Sequence, residues 1–129
     1  MTLLRTTSAI AAALALASPA LAQEQYCGGA GAGGHWIGGD PAMSDISTAD
    51  NFREQMALVM GGNDYVSLFS LSAPTTVRVE AAGRGSGDPV IDLLDNNGVL
   101  VVSDDDSGGN AASRAEITLN PGTYCLATR

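Results

Sequence analysis

The chain has 129 residues and a net charge of −8, from 14 acidic and 6 basic side chains, with one histidine and no lysine. So acidic a surface repels nucleic acid and anionic lipid, which excludes both as expected partners, and it attracts cations. A hydrolase triad needs a base, and the only histidine, His35, lies in a glycine-rich segment; a zinc site needs three or four nitrogen or sulfur ligands, and the two cysteines are better used as a bridge, so the chain is expected not to be an enzyme.

In chain order, the first expected element is a signal peptide over residues 1–22. Arg5 gives a charged start, an apolar stretch runs from about Ala9 to Ala17, and Pro19 breaks it. Ala20-Leu21-Ala22 then supplies the small-residue site that a signal peptidase reads. The apolar stretch is shorter than the ~20 residues of a bilayer span, so no membrane insertion is expected. Cleavage at Ala22-Gln23 leaves residues 23–129, with 5 basic residues against 14 acidic ones, in the periplasm or the medium. That length reads as one domain with a modest core.

Cys27 and Cys125 are the two cysteines. An even count in an exported chain predicts a disulfide, tying the start of the mature domain to its last strand. Cys27 is not at the cleavage point, so it is not a lipidation site. Residues 23–50 read as a glycine-rich and polar N-terminal arm. Its segment from Gly28 to Gly39 is dominated by glycine and contains the only histidine, His35, as a solvated loop residue beside Trp36.

Strand signals dominate from Tyr65 onward. Tyr65 to Ser70 is aromatic and β-branched, and Ser72-Ala73-Pro74 breaks it. Thr76 to Glu80 alternates, with Val77 and Val79 facing a core. Val90 to Leu94 and Val99 to Val102 flank Asp95-Asn96-Asn97-Gly98, a strong hairpin signal. Ala115 to Leu119 and Thr123 to Ala127 flank the turn Asn120-Pro121-Gly122. Short strands at this spacing predict an all-β sandwich or barrel. Phe52 to Met60 is ambiguous. Asn51 with Glu54 makes a capping box and favours helix, whereas the short length favours a strand joined to the next by the Gly61-Gly62-Asn63-Asp64 turn.

Four segments, in order, carry a resemblance. Tyr65-Val66-Ser67-Leu68-Phe69 before Ala73-Pro74-Thr75-Thr76-Val77, Asp88-Pro89-Val90-Ile91-Asp92-Leu93, Gly98 through Asp105, and Leu119-Asn120-Pro121-Gly122-Thr123-Tyr124 are together similar to the bacterial pre-peptidase C-terminal domain family. The resemblance covers about residues 65–127. It implies a jelly-roll-like antiparallel β-sandwich of about seven strands over residues 51–129, with no catalytic function and with calcium or polymer binding in some relatives. It also tips residues 52–60 towards a strand. No protease domain is attached, and the glycine-rich arm and cysteine pair lie outside the family's pattern.

One feature has metal-binding character. Asp104-Asp105-Asp106 crowds three carboxylates before Ser107-Gly108-Gly109-Asn110, with Asp104 and Asp106 at the spacing that lets alternate residues point inward together. Calcium wants six to eight oxygens, and a sandwich can bring Asp88 near. The competing reading is a solvated turn in which Asp104 or Asp105 caps backbone N–H groups. The expected function is an exported accessory module contacting a protein or extracellular polymer. The alternatives are a structural envelope or matrix protein assembling through its glycine-rich arm, and a cryptic hydrolase using paired carboxylates.

Overall fold

The computed structural model describes residues 25–47 and 53–129. The expected signal peptide, the Gln23 start, Asn51 of the capping box and Phe52 lie outside them. Among the described residues there are seven strands and no helix longer than a single turn: β1 (His35–Trp36), β2 (Tyr65–Leu71), β3 (Thr75–Ala81), β4 (Ile91–Leu94), β5 (Leu100–Asp104), β6 (Ser113–Leu119) and β7 (Gly122–Thr128). They form two sheets, one of five strands ordered β1-β2-β7-β4-β5 and one of two, β3-β6. All pairings are antiparallel except β1 with β2. The chain is an all-β sandwich, as the strand spacing predicts.

Two connections change sheet at the same end. β2 turns through Ser72 and Pro74 into β3, and β6 turns through Asn120 and Pro121 into β7. β2 pairs with β7 and β3 with β6, so a long double ribbon folds over on itself. The Tyr124 hydroxyl donates to the Asn120 carbonyl at 2.7 Å and fixes that corner, as a tyrosine corner does in other sandwiches.

The core follows the alternation. Val77 and Val79 of β3, Ile91 and Leu93 of β4, Phe69 and Leu71 of β2, and Leu119 and Tyr124 pack between the sheets. Phe69 stacks on Tyr124, its register partner, at 5.6 Å. The neighbouring pair Leu68 and Cys125 points to the opposite face of the five-stranded sheet yet is also fully buried, because the arm covers it. Cys27, Trp36, Leu68 and Cys125 form this second cluster, with Tyr26 edge-on to Trp36 at 5.4 Å.

The arm is therefore a third layer, not a free extension. The expected disulfide is present: Cys27 is bonded to Cys125, with Cα atoms 6.2 Å apart. Just beyond it the arm crosses the β4–β5 turn backbone to backbone. Gly28, at φ 62°, donates its N–H to the Asn96 carbonyl at 3.3 Å, and a Cβ there would lie 2.7 Å from the Asn97 carbonyl oxygen. Gly98, at φ 81°, would bring a Cβ within 2.8 Å of the Cys27 carbonyl oxygen. Two glycines make that close approach possible. His35 belongs to edge strand β1, not to a loop, and its ring stacks on Tyr65 at 4.9 Å.

Residues 53–60 are neither the strand nor the helix considered from sequence: they run without a ladder or a helical turn. The hairpin partner the following turn would reach, β2, is already paired by β7 along its whole length and by β1 at Ser67 and Leu68. Met56, Leu58 and Met60 are left 72%, 86% and 63% exposed. The segment is tethered at Gln55, whose Nε2 donates to the Trp36 carbonyl at 3.1 Å and whose Oε1 accepts from the Ser67 hydroxyl at 2.7 Å.

Candidate metal centre and groove

Three loops meet at one end of the sandwich. The segment before β4 is pinned to the end of β7 by a reciprocal backbone pair between Val90 and Arg129, at 2.8 and 3.0 Å. The β5–β6 loop reaches the same segment through Ser113, whose fully buried hydroxyl lies within hydrogen-bonding reach of both the Pro89 and the Asp105 carbonyl oxygens. Within that loop, Gly109 to Ala112 closes a tight turn with a 2.9 Å hydrogen bond, Asn110 and Ala111 both at positive φ.

This scaffold brings Asp88, Asp105 and Asp106 together, with one carboxylate oxygen from each within 4.8 Å of the others. All three are exposed, and among the described residues no hydrogen bond or ion pair engages their carboxylates. Their mutual repulsion is felt most at Asp105, whose pKa is raised, first by Asp106 and then by desolvation, Asp88 and Asp104.

Asp104 does not join them, contrary to the spacing argument that paired it with Asp106. It ends β5, and its carboxylate turns back to cap the loop. It accepts the Ser107 N–H at 2.9 Å, the Ser107 hydroxyl at 2.5 Å and the Arg114 N–H at 2.8 Å. The Ser107 hydroxyl, then the Arg114 amide, hold its pKa below the usual carboxylate value. The capping reading thus describes Asp104, while the clustered reading describes its two neighbours and Asp88. Oxygens on opposite sides of a calcium ion stand about 4.8 Å apart, and three carboxylates furnish up to six oxygens when bidentate. These are hard oxygen donors that could hold a metal ion.

A second feature was not read from the sequence. The two-stranded sheet covers only part of the five-stranded sheet's inner face, and a groove of about 1420 Å³ is left beside it. Its floor includes Tyr65, Ser67 and Phe69, alternate residues of β2 that share one face, with Leu126 and Thr128 of β7. Every residue from 75 to 84 forms one wall and every residue from 53 to 59 another. Inward-facing and outward-facing residues of β3 both line it, so the groove runs along the strand's edge rather than over one face. Sequence alternation reveals which residues face the core, but not which strand ends at an open edge.

Among the described residues no helix is long and apolar enough to cross a membrane. Comparison with protein-family models, with curated proteins and with solved structures finds no match to this chain.

Proposed function

We propose that this chain is an exported, non-catalytic binding module of the pre-peptidase C-terminal type. It contacts a protein or extracellular polymer and takes calcium at Asp88, Asp105 and Asp106. The observation that carries the reading is the groove beside β3, a concave surface lined by both apolar and polar side chains, which is the form of a binding site. The bonded cysteine pair supports export, since such bonds persist in oxidising compartments, and it leaves neither thiol available as a nucleophile. The clustered, exposed carboxylates of Asp88, Asp105 and Asp106 support the calcium assignment. Assembly through the glycine-rich arm is less well supported, because the arm is already bonded to the domain's own turn and edge.

Capture from the host's periplasm and culture medium on immobilised mature protein, followed by mass analysis, tests the reading. A partner retained and recovered chemically intact is expected. A species recovered cleaved, or no retention from either fraction, contradicts a binding module.

A further inference from the structure

We infer that residues 56–60 are a cleavage site for an endopeptidase that seats an apolar side chain on the amino side of the scissile bond, and that the cut chain stays one molecule because the Cys27–Cys125 bond spans the break.

An endopeptidase takes its substrate as an extended strand, pairing with the substrate's main chain and seating side chains in pockets. A site therefore needs three things at once: a main chain free of other hydrogen bonds, side chains in solvent, and a residue that fits the pocket. Residues 53–60 run without a ladder or a helical turn. Among the described residues no hydrogen bond engages the main chain of residues 54–59. The segment is held instead by a side chain, that of Gln55, on Trp36 and Ser67, which fixes its place and leaves its main chain open. Met56, Leu58 and Met60 stand in solvent, and Leu58 is the most exposed of the described large apolar side chains.

Every competing place lacks one of the three. Val99 and Leu100 are exposed, but Leu100 is laddered to Leu94, and Val99 is bonded to Asp95 through both its N–H and its carbonyl. Met43 is exposed in a one-turn helix, and its N–H is taken by the Asp40 carboxylate at 2.8 Å. Cleavage at these positions must wait for local opening, which costs free energy. The exposed loop Gly83-Arg84-Gly85-Ser86-Gly87-Asp88 offers no apolar side chain. Only Met56 to Met60 meets all three needs, and Leu58–Val59 is its central bond.

Hydrolysis there consumes one water. The C–N bond breaks, Leu58 ends as a carboxylate and Val59 begins as an ammonium. Cys27 and Cys125 lie on either side of the break, so the two pieces remain joined. The cut also divides the groove wall formed by residues 53–59.

Chymotrypsin, whose specificity pocket is an apolar slot, is the probe, added in trace amount to oxidised mature protein and read by intact mass and fragment mapping. The first product should be heavier by one water, should part into two fragments only on reduction, and should carry its new C-terminus within residues 56–60, foremost at Leu58. Leu58→Asp should slow the cut by about tenfold or more and move the new C-terminus to Met56 or Met60. Misfolding does not produce that relocation within the same segment. A first cut outside residues 56–60, cleavage that begins only when the fold melts, or an unchanged rate and position in Leu58→Asp overturns the inference.

Discussion

The Cys27–Cys125 bond gives the sharpest stability prediction, because it also reports on the arm. The bonded residues are 98 apart in sequence, and in the chain-entropy treatment a loop of that size restricts the unfolded chain by about 4.7 kcal/mol. Typical domains have only about 5–15 kcal/mol in total, so Cys27→Ala with Cys125→Ala should consume much of the stability. At about 4–8 °C per kcal/mol, the melting temperature should fall by about 20–40 °C. Both cysteines are fully buried, so alanine also leaves unfilled space and does not soften the loss. Trp36 is the only tryptophan and sits in the cluster the bond anchors, while β1 is held by only two register pairs. Its emission should therefore shift to the red at temperatures where the far-UV circular dichroism of the sandwich is still intact. A variant that melts within a few degrees of wild type with unchanged Trp36 emission would refute the argument that the bond holds the arm in place.

Calcium at a hundredfold excess over Kd should stabilise the fold by about 2.7 kcal/mol, raising the melting temperature by about 10–20 °C. Magnesium should do less, and Asp105→Asn with Asp106→Asn should abolish the response; equal shifts in calcium and magnesium would end the assignment. Asp104→Asn disturbs a cap and should lower stability with calcium or without it, which thermal melts in EDTA will show. Asp105 has a raised pKa in the fold, so its ionisation destabilises as pH rises through that value. Asp105→Asn should therefore raise the calcium-free melting temperature at neutral pH and leave it unchanged in acid. Asp45, Asp92 and Asp104 have lowered values, so their contributions exist above about 3.8 and vanish as pH falls through the folded values, about 2 for Asp45. Ala111, at φ 61°, bears the cost of a left-handed residue, so Ala111→Gly should raise the melting temperature by a few degrees in calorimetry.

The legible parts of the fold were those set by local chemistry. Val77 and Val79 face the core because strand side chains alternate, and Asp95 through Gly98 turns because Gly98 accepts φ 81° while the Asp95 carboxylate takes the Asn97 and Val99 amides at 2.9 and 3.0 Å. The parts that were not legible depend on tertiary competition. Residues 53–60 are short enough to favour a strand over a helix, yet β2 has no free edge to offer them. The glycines of the arm read as a loop or extended arm held by Cys27 and Trp36, but the sequence does not say that Gly28 is there to pass Gly98. Asp104 and Asp106 share the spacing of a ligand pair, yet the Asp104 carboxylate turns to Ser107 and Arg114 while Asp106 clusters with Asp105 and Asp88. Asp88 was placed near the loop by the sandwich argument, and the Ser113 hydroxyl is what holds it there.

The central claim, a module that binds its partner in the groove beside β3, is tested most directly by amide hydrogen exchange on the mature protein with and without the partner captured from the periplasm or medium. Binding should slow exchange across Thr75–Ala81 and leave the opposite edge strand, Leu100–Asp104, unchanged. Protection confined to Leu100–Asp104 or to the arm, with β3 exchanging at its free rate, would contradict it.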